Sequence, residues 1–271
     1  MRAMIKALVG TAIAVAAMSA QADTQMFNWN LNLPGGQTTG INQLGFNGES
    51  FVRNDFSNGN NFTFTDNGFF NLTTKNSGGN LTLGGGQLTG NYFGGTGTGN
   101  LSGGQITFNA GGELDIYYNA TQIYDTTGAT VANRDGAASG TLIAKFMQIA
   151  GGGGAINSDG TPASNGQLTL NFVASYFAPG VFTDADGKAL PIGFTTGFVT
   201  SNASQDLGNA SSAIARETLS GSSTLLNNAP NYFYVNNGGQ LKLNNVPEPE
   251  TLALFGAGLI GLAALRRRKS K

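Results

Sequence analysis

Apolar and polar residues alternate one for one along much of this chain, a period that suits strands and not helices. Phe27-Asn28-Trp29-Asn30-Leu31-Asn32-Leu33 does so without a break, which sets its rings and leucines on one strand face. Phe62-Thr63-Phe64-Thr65, Leu81-Thr82-Leu83, Ile106-Thr107-Phe108, Leu114-Asp115-Ile116-Tyr117, Leu168-Thr169-Leu170-Asn171-Phe172 and Tyr232-Phe233-Tyr234-Val235 continue the pattern. Such runs bury one face and wet the other, as antiparallel sheets do. Asn-Gly and Asp-Gly pairs begin at Asn47, Asn58, Asn67, Asp135, Asp159, Asn165, Asp186 and Asn237. These dipeptides accept positive φ and are expected to close tight hairpins. Their irregular spacing argues against a solenoid. The expected fold is all-β: one antiparallel, jelly-roll-like β-sandwich spanning residues 23–245.

A turn-then-strand form recurs at Gly86-Gln87-Leu88, Gly104-Gln105-Ile106, Gly166-Gln167-Leu168 and Gly239-Gln240-Leu241. No fixed repeat length separates the copies, so they read as similar strand starts. Gly151 to Gly154 and the Ser/Gly/Asn-rich stretch up to Gly166 read as a mobile loop. Between Asp206 and Ser220 the alternation lapses, and a short helix or a crossover loop fits. Glycine accounts for 42 of the 271 residues, a heavy cost in backbone entropy. Burial of the evenly spread aromatic residues must offset it, at about 25 cal/mol per Å² of apolar surface.

The sequence contains no cysteine and no histidine. Thiolate nucleophiles, histidine bases and imidazole or thiolate metal ligands are therefore excluded, and no disulfide holds the chain together. Seven of the 14 basic and 13 of the 15 acidic residues lie between Asp23 and Val246, a net charge near −6 for that body. A phosphate backbone, and so a nucleic acid, is a poor partner for such a surface.

The two ends read differently. Arg2 and Lys6, the apolar core Ala7 to Met18 and the small-x-small triplet Ala20-Gln21-Ala22 form a secretory signal peptide over residues 1–22, with Asp23 the expected first mature residue. Residues 246–271 fall into three parts. Pro247-Glu248-Pro249 cannot be helical. Thr251 to Leu265 is uncharged and mostly apolar, about 22 Å long as a helix and short of the ~30 Å hydrocarbon core. Arg266, Arg267, Arg268 and Lys269 then form a basic stop, which snorkelling arginines adapt to a membrane surface. A tail helix packed on its own domain is the plainer alternative, but five cations behind an all-round apolar helix leave it no solvent face.

In that order these three parts resemble the PEP-CTERM protein-sorting signal of bacterial exported proteins. The resemblance covers about a tenth of the chain. It implies processing by a membrane-embedded exosortase, an inner-membrane-anchored precursor with a transmembrane helix, and a final place at the cell surface or outside the cell. The family is associated with exopolysaccharide-producing bacteria and with biofilm or floc formation, so an exopolysaccharide is the implied partner. The Asn/Gly/Phe-rich body resembles floc-associated members.

Within the body two carboxylate pairs stand out. Glu113 and Asp115 share a strand face and are candidates for acid–base work on a glycosidic bond, against the reading that this face is simply the wet one. Asp184-Ala185-Asp186-Gly187 resembles the opening of a Ca²⁺ loop, but Thr195 stands where a closing glutamate belongs, and a hairpin turn explains Asp184 and Asp186 as well. Tyr117, Tyr118, Tyr232 and Tyr234 are candidates for stacking on sugars or for cross-strand packing. The expectation is an exported, non-enzymatic matrix protein without a cofactor. A lectin-like carbohydrate-binding module and a secreted polysaccharide hydrolase are the alternatives.

Overall fold

The computed structural model describes residues 24–76, 78–122, 137–163, 166–205 and 232–245. The signal peptide, the sorting segment and the stretch from Asp206 to Ser220 lie outside the described residues. Gln25–Asn244 forms one compact unit, to which the following description applies.

Fourteen strands are described: β1 (Thr24–Gln25), β2 (Trp29–Leu33), β3 (Gly36–Ile41), β4 (Leu44–Asn58), β5 (Asn61–Lys75), β6 (Gly79–Asn80), β7 (Gln87–Asn100), β8 (Gln105–Phe108), β9 (Glu113–Asn119), β10 (Thr141–Ala155), β11 (Gly166–Phe177), β12 (Phe182–Thr183), β13 (Thr195–Gln205) and β14 (Tyr232–Asn245). The all-β antiparallel class expected from the alternation is what forms. Following the ladders from β4 through β5, β7, β8 with β9, β10, β11, β13 and β14 returns to β4, where Phe51 pairs with Tyr234 and Leu44 with Leu241. The sheet thus closes on itself, which removes the exposed edges that invite aggregation. β8 and β9 together occupy one position, both pairing with β7 on one side and β10 on the other. This order refines the jelly-roll-like expectation: sequence neighbours are sheet neighbours, so the ring runs up and down.

The two halves of the ring face each other across one apolar core. Tyr92 of β7 meets Phe172 of β11 edge to face at 5.8 Å, although the two strands are not neighbours. Phe62, Phe64, Phe70, Leu72, Phe108, Ile116, Phe146 and Leu241 join them. Glycine and ring are complementary here. A Cβ on Gly99 would stand 2.1 Å from the Phe62 ring, and one on Gly97 2.2 Å from Phe64. The bare β7 backbone is what lets those rings fill the interior. A second sheet, β12-β2-β3, adds Trp29, Leu31 and Ile41 to the same core. Trp29 stacks on Phe182 at 5.9 Å, and Phe182 on Phe177 at 4.6 Å.

Several local expectations are corrected. Phe27 does not share the Trp29 face. Asn28 has φ 60°, which turns the chain and leaves Phe27 58% exposed. Leu81-Thr82-Leu83 is not a strand but a connection tied by the Thr82 amide to Thr38 Oγ1 at 2.8 Å. Asn47-Gly48, Asn67-Gly68 and Asn237-Gly238 are not turns. They lie inside long strands, and Asn47-Gly48 pairs with Asn237-Gly238 across the β4–β14 ladder. Strands of 14 or 15 residues must curve to close a ring, and glycines without side chains permit that curvature. Asn58-Gly59, Asp159-Gly160 and Asp186-Gly187 do sit in turns, each glycine at positive φ. The mobile loop expected from Gly151 is instead the end of β10, paired to β8 and β11, followed by a short turn in which Ile156 bridges Pro162. Three of the four Gly-Gln motifs do open strands; the fourth lies within β14.

Candidate functional site

Alternation along β9 points Leu114, Ile116 and Tyr118 inward and Glu113, Asp115 and Tyr117 outward. The β9–β10 register sets Lys145 opposite Asp115. Its ammonium donates to Glu113 Oε1 and lies 3.1 Å from Asp115, while the Tyr117 hydroxyl donates to Asp115 Oδ2 at 3.0 Å. So the pair singled out in the sequence does meet, with a lysine between its members.

The two carboxyls differ electrically. The hydrogen bond from Lys145 holds Glu113 below its ordinary pKa, whereas burial raises Asp115 in spite of the same lysine. Burial, then the Asp115 charge, pushes the Tyr117 hydroxyl up to about 12. Split carboxyls are the pattern of an acid–base pair. Here, however, the partner whose pKa is raised, Asp115, is 4% exposed, and a general acid must reach the oxygen it protonates.

A polar group missed from the sequence lies inside the ring. Asp66 is buried, accepts from Ser50, and is pushed up to about 7 by desolvation. Its Oδ1 has no hydrogen-bond partner among the described residues. Tyr92 donates to Gln148 Oε1 at 2.6 Å, and Gln148 Nε2 is likewise buried without a partner among the described residues. Burial, with the charge of Asp66, raises the Tyr92 pKa. The signal was available: Phe62-x-Phe64-x-Asp66 keeps the inward phase of β5.

Asp184 and Asp186 form a turn. Asp184 Oδ1 accepts from the amides of Asp186 at 3.0 Å and Lys188 at 2.9 Å, and Gly187 takes φ 81°. Tyr118 is buried, donating to the Leu83 carbonyl at 3.2 Å. Tyr232 and Tyr234 belong to β14, but their side chains lie outside the description.

Among the described residues no helix is long and apolar enough to cross a membrane. The barrel wall has the opposite sense to a membrane-spanning one. Phe62, Phe64, Phe70 and Leu72 of β5 point inward, while Thr63, Thr65 and Thr73 face solvent. A lipid-embedded wall reverses that alternation.

The family model for the PEP-CTERM protein-sorting motif matches residues 245–269. No curated protein and no solved structure matches the chain. The chain thus carries the PEP-CTERM protein-sorting motif, which supports its being an exosortase substrate. The motif implies export, a membrane-anchored precursor and processing by an exosortase. Pro247, Glu248, Pro249, Arg266, Arg267, Arg268 and Lys269 lie within the match but outside the described residues; Ala20, Ala22 and Asp23 also lie outside the described residues.

Proposed function

We propose that the exported barrel is a non-enzymatic structural component of a surface or extracellular matrix, a biofilm or floc rich in exopolysaccharide. The observation that carries this reading is the pairing of a C-terminal sorting motif with a closed, cysteine-free barrel whose Glu113 and Asp115 are both engaged by Lys145. A closed ladder resists fraying and edge pairing outside the cell without disulfides. The sorting tail serves as an address, and the mature protein acts by persisting where it is delivered.

Removing the gene is expected to weaken matrix cohesion, measured as polysaccharide lost to the medium under shear. Replacing Pro247-Glu248-Pro249 by alanines is expected to hold the full-length chain in the membrane fraction and to reproduce that loss. An unchanged matrix in the deletion strain overturns the structural role. Shortening of extracted polysaccharide by the purified protein, abolished in Glu113→Gln, would instead establish the hydrolase.

A further inference from the structure

At the end of the ring formed by the β4–β5 and β7–β8 turns lies an open groove of about 470 Å³. Asn58, Asn61, Phe62, Thr63, Thr98, Gly99, Asn100, Gln105 and Thr107 line it, and none is charged. Its floor is ordered by register. Asn61 pairs with Asn100 and Asn100 with Gln105; two residues along, Thr63 pairs with Thr98 and Thr98 with Thr107. Two parallel rows result, one of amides and one of threonines, each crossing three strands. At strand spacing, each row is about 10 Å long and the rows lie roughly 7 Å apart.

Chemistry narrows the occupant. Asn100 is engaged, donating to Asn61 Oδ1 at 2.7 Å and accepting from the Gly103 amide. That orients the Asn61 carboxamide, whose nitrogen makes no hydrogen bond among the described residues. The hydroxyls of Thr63, Thr98 and Thr107 and the Gln105 amide make no hydrogen bond among the described residues. Hydroxyls and amides both donate and accept, and each threonine adds a methyl group beside its hydroxyl. No cation lines the groove to hold a phosphate or carboxylate. No carboxylate lines the groove to hold a metal or an amine. The complement of a flat, uncharged surface of alternating methyl and hydroxyl groups is a sugar ring, with its C–H faces and its rim of hydroxyls.

We propose that this groove binds a stretch of neutral polysaccharide, about two sugar rings long. The inference deepens the matrix reading above, naming the partner's chemistry and where it is held. Single sites of this kind bind weakly, because a net hydrogen bond in water contributes only about 1 kcal/mol. Many copies along one polymer raise the avidity.

The test measures binding of the full chain to an array of neutral hexasaccharides of differing linkage, with oligogalacturonate and chitosan oligomers as charged controls. Neutral oligomers are expected to bind in preference to both controls. Thr98→Arg, which sets a long cation in the middle of the threonine row, is expected to weaken binding about tenfold or more. Thr98→Ser, which keeps the hydroxyl, should stay within about threefold, and Thr73→Arg, exposed elsewhere on β5, should leave binding unchanged. Far-ultraviolet circular dichroism confirms that the variants fold. Failure of every neutral oligomer to bind, equal binding of the charged ones, or full binding by Thr98→Arg overturns the proposal. If the deletion strain still loses matrix cohesion in that event, the structural role stands without this site; if glycans bind but cohesion is unaffected, the site stands without the role.

Discussion

One stretch of wall, β5 to β10, carries buried or half-buried carboxyls on both faces, a pair outside and one inside, and the two faces handle them differently. Outside, Glu113 and Asp115 are held by a cation, Lys145, which remains partly solvated. Inside, Asp66 has only neutral company: Ser50 as donor, with Tyr92 and Gln148 nearby in the core. Moving a carboxylate out of water is tolerated when an ammonium offsets the desolvation; without one the group keeps its proton. The same side chain is thus an ion pair on one face and a neutral hydrogen-bonding acid on the other. Neutrality, as much as greasiness, is what the interior requires.

The largest consequence is the pH dependence of stability. Asp66 has a folded-state pKa of about 7 against 3.8 for the free group. Below pH 4 it is neutral in both states and its contribution to stability is fully present. Between about pH 4 and 7 the unfolded chain ionises while the folded one does not, so stability falls with rising pH, by roughly 4 kcal/mol in all, and then levels off. Asp66→Asn is expected to match the parent near pH 4 and to unfold at clearly higher temperature at pH 8. Thermal unfolding across that range checks it. Parallel profiles for the two proteins would erase the contrast between the faces.

The outer cluster has its own sign. Glu113 has a lowered folded pKa, so its contribution is present above the unfolded value and is lost as pH falls. Lys145→Met strands Asp115, which is 4% exposed, and is expected to cost about 2 kcal/mol near neutral pH. Adding Asp115→Asn to Lys145→Met should recover most of that loss. A double-variant cycle by chemical denaturation measures the coupling. Additive losses would mean that the outer carboxyls lean on solvent rather than on the lysine.

The sequence showed strand alternation, the all-β class and the approach of Glu113 to Asp115, since those depend on a period of two and on nothing distant. It did not show the closure of the ring, because pairing of β14 with β4 joins residues nearly 200 positions apart with no local signature. Asn47-Gly48 and Asn237-Gly238 misled for a related reason. A glycine that serves curvature in a long strand looks the same in sequence as one that serves a turn. Lys145 was invisible as the third member of the outer cluster, since only the β9–β10 register brings it there. The groove of amides and threonines was equally hidden, being assembled from β5, β7 and β8.

Asp184 offers a third way to hold a carboxylate, through backbone amides. It accepts from the amides of Asp186 and Lys188. Asp184→Ala removes both acceptor contacts but keeps the backbone carbonyl to which Asn30 Nδ2 donates at 2.7 Å, so the β2–β12 pairing should survive. The expected loss is about 1 kcal/mol, the usual scale for a side chain that caps local amides. Asp184→Asn, which retains an acceptor oxygen, should lose less than half of that. Calcium separates this from metal binding. A turn held by amides predicts melting temperatures that do not change with millimolar Ca²⁺ in the parent or in either variant. A Ca²⁺-dependent rise in the parent, absent from Asp184→Ala, would show instead that the carboxylate answers to a cation, as those around Lys145 do.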